Sequence, residues 1–146
     1  MKLKYRKAVF VVTYRKEKDK IKYLILKRKL HWKGWEFPKG GVNKDESLLH
    51  AVKREIKEET GQSAFNIKKY KYHGKYKYPR LYADRPGIIG QTFHLFSAEL
   101  KKPKVKIDRL EHSTYKWLDF KSALKLLTYK NKKICLKIVN KKLTKS

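Results

Sequence analysis

GGVNKDESLLHAVKREIKEETG, residues Gly40 to Gly61, contains a helix with a start, an inward face and a stop. Asp45 or Ser47 offers a side-chain oxygen to the free N–H groups of the first turn. Leu48, Val52 and Ile56 recur every four positions, so one face packs inward. Gly61 stops the helix, because a glycine accepts the left-handed cap. On the neighbouring face Glu55, Glu58 and Glu59 stand at i, i+3 and i+4, which gathers three carboxylates within one turn. Such a cluster repels itself and raises its own pKa values unless a cation neutralises it. Hard oxygen donors suit Mg²⁺ or Mn²⁺, not Zn²⁺. Arg54 is placed to orient a neighbouring carboxylate, and Gly40 with Gly41 lets the backbone approach closely enough to offer a carbonyl as a further ligand. The stretch therefore reads as a metal site for phosphate chemistry.

The spacing is specific. Gly40, Glu46, Arg54, Glu55, Ile56, Glu58, Glu59 and Gly61 follow G-x5-E-x7-R-E-apolar-x-E-E-x-G. Seven of these positions are fixed residue types, so a chance match at a given start is roughly 10⁻⁹. Arg-Glu-x-x-Glu-Glu alone would be ordinary ion pairing on a helix surface. The glycines and the lead-in are what set the pattern apart. It resembles the signature of the Nudix hydrolase family, over nearly the whole chain. The resemblance implies an α+β fold, a Nudix-type α/β/α sandwich with a mixed β-sheet. It also implies hydrolysis of a nucleoside diphosphate linked to another moiety, with one or more divalent cations. One position departs: Gln62 stands where the family usually has an aliphatic residue, which bears on packing at the helix end.

Composition sets the frame. A chain of 146 residues makes one domain, 1–146, long enough to bury a core. A net charge of +27 attracts polyanions: nucleotides, polyphosphates, nucleic acid or an anionic surface. Yet 33 of the 40 basic residues are lysine, spread along the whole length, whereas arginine is the better residue for forked phosphate recognition. The excess thus reads more as overall composition than as a shaped RNA-binding patch. The lone Cys135 excludes an internal disulfide, suits a reducing cytosol and lies in an apolar helical stretch where packing is its role. Ala8 to Tyr14 is too short for a leader and lacks a cleavage site, and no segment is long enough to cross a bilayer. The expectation is a cytoplasmic monomer or homodimer with no membrane partner.

Ala8 to Tyr14 and Tyr23 to Leu26 read as two strands of a hairpin around the charged turn Arg15 to Lys20. Trp35 to Phe37 is a short strand, and Pro38 to Gly41 is a loop entering the signature helix. Ala64 to Tyr78, Ile88 to Leu100 and Tyr115 to Leu118 follow as strands. Helices span Phe120 to Leu127 and the segment around Ile134, Ile138 and Val139, and Lys141 to Ser146 is a basic tail expected to be disordered.

The family resemblance assigns roles along this order. Glu55, Glu58 and Glu59 would be metal ligands, with the Gly40 carbonyl as another. Glu111, in LEHSTYKWLDFKSA (Leu110 to Ala123), matches a family position that serves as ligand or general base. Glu58, Glu59 and Glu111 all remain candidates for the base, Arg54 supports them, and Lys39 stabilises the leaving phosphate. The loop GWEFPKGGV (Gly34 to Val42) is similar to that of two branches, the dinucleoside tetraphosphate hydrolases and the RNA 5′-pyrophosphohydrolases. For the first, Tyr129 in ALKLLTYK would stack on adenine, with Tyr76 or Tyr78 opposite, and Gln91 stands where that branch often carries a lysine. For the second, Gly90-Gln91 resembles the start of the equivalent strand, and RNA would be a partner. A house-cleaning nucleoside triphosphate pyrophosphatase shares the same catalytic residues. A non-catalytic nucleic-acid binder would have no need to keep the three glutamates together. His31, His50, His73 and His112 show no metal spacing. The leading expectation is a Mg²⁺-dependent, or Mn²⁺-dependent, pyrophosphohydrolase of a nucleoside polyphosphate.

Overall fold

The computed structural model describes residues 3–145. Ten elements follow in order: β1 (Lys4–Glu17), β2 (Lys20–Arg28), β3 (Gly34–Glu36), β4 (Lys39–Gly41), α1 (Leu48–Thr60), β5 (Phe65–Lys77), β6 (Ile88–Glu99), β7 (His112–Leu118), α2 (Phe120–Leu126) and α3 (Lys130–Thr144). The strands form one mixed sheet in the order β3-β2-β1-β6-β5, with β4 paired to β1 and β7 paired to β2. The pair β1–β6 is parallel and the others are antiparallel.

The central position of β1 explains its unbroken apolar run. A strand covered on both faces needs no polar alternation. Phe10, Val12 and Tyr14 face a core shared with Ala123, Leu127, Cys135, Leu136 and Val139 of the C-terminal segment. Val9 and Val11 face a second core with Ala51, Val52 and Ile56 of α1. The sheet therefore lies between α1 on one side and α2 with α3 on the other, the α+β sandwich expected.

Helix α1 is set by its ends. Ser47, not Asp45, is the cap, and its side chain accepts from the His50 N–H at 3.1 Å. Gly61 ends it at φ 77°, and its N–H donates to the Lys57 carbonyl. Burial of Ile56, completely covered, stabilises the packing by about 1.5–3 kcal/mol.

Several boundaries differ from those expected. The hairpin strands extend to Glu17 and from Lys20, leaving only Lys18 and Asp19 in the turn, with Lys18 at φ 57°. Arg15 to Glu17 pair directly with Lys20 to Lys22 across the tight turn, so backbone pairing within the hairpin carries into the strands polar residues that local composition assigns to a turn. Lys39 to Gly41 is a strand, not a loop, because β1 offers it backbone partners. β7 begins at His112. The basic tail continues α3 as far as Thr144, and Ser146 lies outside the described residues.

Candidate active site

Arg54 organises the start of the site. Its Nε and Nη2 donate to both oxygens of Glu46 at 2.8 and 2.9 Å, a forked pair that fixes the guanidinium plane. Nη2 also donates to the Gly41 carbonyl at 2.7 Å, and Nη1 donates to Glu55 at 2.7 Å and Glu58 at 3.3 Å. The hydrogen bonds from Arg54 hold Glu46 well below the usual carboxylate range. Glu55, by contrast, is pushed up to about 7 by burial, against the pull of Arg54. Gly40 is required beside it, since a Cβ there would overlap the Glu55 carboxylate.

Glu59 is the least satisfied acid. It is 1% exposed, and neither carboxylate oxygen has a hydrogen-bond partner. Burial, then the charges of Glu36, Glu111 and Glu55, drive its pKa well above the usual carboxylate range. For Glu59 to carry its charge in this position, a cation has to bind beside it. Glu58 differs again, its side chain 55% exposed at the rim. So the three glutamates are not one bunch on a face: Glu55 and Glu59 point inward and Glu58 outward. Among the described residues no three His, Cys, Asp or Glu side chains converge into a ready-made cage. Arg54 holds oxygens of Glu55 and Glu58 that a metal would need. The orphaned oxygens of Glu59 nevertheless fit a hard cation, and the all-oxygen donor set fits the same kind of ion.

A second cluster lies under this one. Glu36 is fully buried, accepts from His112 Nε2 at 2.8 Å and Arg28 Nη1 at 3.3 Å, and has Lys132 Nζ at 3.5 Å and Lys39 Nζ at 4.0 Å. Burial alone would raise its pKa, but Lys39, Lys132, His112 and Arg28 outweigh that and hold it well below the ordinary range. Burial brings Lys39 down to about 8 and lowers Lys132 as well. Arg28 links the two clusters, because the same Nη1 donates to Glu111 at 3.0 Å.

A cavity of about 410 Å³ opens beside them. Arg28, Lys39 and Lys132 belong to its charged side, and Trp32, Tyr76, Tyr78, Tyr82 and Tyr129 to its aromatic walls. Tyr129, 45% exposed, meets Trp32 edge to face at 4.8 Å between ring centres. One wall is tied across two loops: His31 Nε2 lies 3.0 Å from Asp84, and its ring packs on Tyr82 at 4.3 Å. Arg85 donates to the Tyr78 hydroxyl at 2.9 Å. Arg6 lies against Gly41, and its pKa is lowered first by burial and then by neighbouring Arg85.

The NUDIX domain family matches residues 4–137. The chain belongs to the Nudix family. The RNA pyrophosphohydrolase of a Nitratiruptor species is 30% identical over 126 residues, covering 82% of this chain and 81% of that protein. That of Bartonella henselae is 31% identical over 118 residues, covering 73% and 68%. Among solved structures, a C. elegans Ap4A hydrolase binary complex superposes with a TM-score of 0.75 at 27% identity, over 94% of this chain and 97% of that one. Nudix hydrolases generally act with a divalent cation such as Mg²⁺.

Within this Nudix site, the charge of Glu111 is close enough to raise both Glu55 and Glu59. Lys39, Tyr76, Tyr78 and Tyr129 all line the cavity. Gln91 does not; it is 1% exposed and accepts from the Tyr76 hydroxyl at 2.6 Å, so it holds that ring instead of meeting a ligand. Gly40 lies on β4 opposite Val9 of β1 and directly against the Glu55 carboxylate. Arg6, Arg28, Trp32, Glu36, Arg85, His112 and Lys132 join the site without having been foreseen. Glu36 carried a signal, an acid between two aromatics in Trp35-Glu36-Phe37. Lys132 carried none among 33 lysines.

Proposed function

We propose that this Nudix hydrolase cleaves the phosphoanhydride chain of a dinucleoside tetraphosphate to ATP and AMP with Mg²⁺. The observation that carries the reading is the aromatic cavity, which shares Arg28 and Lys39 with the carboxylate clusters. It would take one base against the aromatic wall that Trp32 and Tyr129 form together and direct the phosphates toward Glu55, Glu58, Glu59 and Glu111. The likeness to the C. elegans Ap4A hydrolase supports this choice.

Glu59, with Glu55, Glu58 and Glu111, would hold the cation, which supplies charge neutralisation and a more acidic attacking water. Arg54 keeps Glu55 and Glu58 in place. Lys39 and Arg85, which line the cavity, would meet the phosphates and stabilise the charge that builds on the leaving oxygen. One of Glu58, Glu59 and Glu111 accepts the proton of the water. Gly40 serves by leaving the Glu55 carboxylate its room.

A second reading, an RNA 5′-pyrophosphohydrolase, is favoured by the two bacterial relatives of that name. Anion-exchange analysis of products from diadenosine tetraphosphate, 5′-triphosphorylated RNA and single nucleoside triphosphates separates these. ATP and AMP from the dinucleotide, lost by about 10²-fold or more in Glu58→Gln, is the expected result. Preferential release of pyrophosphate or phosphate from RNA moves the enzyme to the second reading.

A further inference from the structure

We propose that the open face of β5 and β6 is a docking strip for single-stranded RNA that leads into the cavity. Lys69, Lys71, His73, Lys75 and Lys77 occupy alternate positions of β5, and all are exposed. Tyr70, Tyr72 and Tyr76 between them turn to the other side and pack on the core. Period-two alternation thus puts Lys69, Lys71, Lys75 and Lys77 on one face. The register with β6 shifts between Lys69 and His73, so the row lies opposite Phe96 to Gly90 and is about 20 Å long.

The neighbouring strands continue it. His94 stands opposite His73, their rings 5.9 Å apart, and Thr92 stands opposite Lys75. Lys7 of β1 pairs with Thr92, and Lys75 Nζ lies 5.1 Å from the centre of the Tyr5 ring. After the larger effect of burial, the neighbours that lower the His94 pKa are Lys69, Lys7 and His73, and no acid is among them. No Asp or Glu occurs between Gly61 and Ala83. A lysine-rich composition becomes a shaped field because strand alternation sorts it.

The last member of the row, Lys77, is also a wall residue of the cavity. A polyanion lying on the strip would therefore end where the nucleotide end is held. An RNA strand meets both requirements, a repeating phosphate charge and a terminal base for the aromatic walls. Lysines on an edge strand also deter edge-to-edge pairing. That purpose asks nothing of Lys7 and His94, which lie inward of the edge on β1 and β6. The direction of the strand rests on the second reading of the site; the binding itself does not.

The test uses a short single-stranded RNA with a 5′-hydroxyl, which offers no bond to cleave, and a 3′-fluorescein for anisotropy. Lys69→Gln/Lys71→Gln/Lys75→Gln is compared with Lys137→Gln/Lys141→Gln/Lys142→Gln on α3, which removes the same charge from an exposed surface elsewhere. The sheet variant is expected to bind about tenfold more weakly and to lower the slope of log K against log salt by about 2. The helix variant should change much less. Equal losses in the two variants, or no loss in the sheet variant, would overturn the strip. So would binding of phosphatidylserine vesicles through the same lysines in preference to RNA. Dinucleoside tetraphosphate turnover by the sheet variant should match wild type. If wild-type protein leaves that substrate intact while the RNA difference persists, the proposed function fails and the strip stands.

Discussion

Arg28, Lys39 and Lys132 share Glu36 as a buried counter-charge. Breaking a buried pair from one side leaves uncompensated charge. Glu36→Gln is expected to destabilise the protein by about 3–5 kcal/mol in urea unfolding, with part of the loss recovered in Glu36→Gln/Lys132→Met. An unchanged midpoint would show that the cations rearrange freely. Glu55 gives the pH dependence. Its carboxyl titrates at about 7 when folded, against an ordinary value of 4.5. Between those values the folded state binds more protons than the unfolded state, so this contribution to stability is full below 4.5 and lost as the pH rises through 7. Thermal unfolding in EDTA should therefore show a Tm that falls across that window, and Glu55→Gln should flatten the profile. A Tm that rises through it would contradict the burial of this acid.

Among the elements, β4 and α1 meet so closely that a glycine decides the contact. Gly40→Ala drives a methyl into the Glu55 carboxylate, whereas Gly41→Ala meets only the movable Arg6 guanidinium. The first should cost about 1–3 kcal/mol by overpacking and the second clearly less, measured as denaturation midpoints. Equal costs would mean that α1 shifts easily. The signature helix itself was legible from sequence, since its cap, apolar stripe and stop are all local. Strand β4 was not, because Lys39, Gly40 and Gly41 have no strand preference and pair only where β1 offers its backbone. The extent of α3 was missed for a related reason: its lysines suggest a solvated tail, while Val139 and Leu143 pack on the sheet and hold the last turns.

Across the whole molecule, Trp32 and Tyr129 are far apart in the chain and meet at 4.8 Å. Trp32→Ala and Tyr129→Ala are each expected to raise KM for a nucleoside polyphosphate about tenfold, a loss within the usual value of a stacked base. Little change in kcat should accompany it, as both act on the base and not on the phosphates. A fall in kcat at constant KM would remove them from recognition. Two cores joined by one central strand also predict a single cooperative unfolding transition, seen as coincident near- and far-ultraviolet melting curves. The sequence by itself determined the signature helix, the identity of its acids and the family, because those depend on neighbours within a few residues. Only the tertiary structure decided that Glu59 is buried and unpaired, that Gln91 holds Tyr76, that Lys132 joins Glu36, and that scattered lysines become one strip. Each of those depends on strand pairing and layer packing between residues far apart in the chain, which no local pattern encodes.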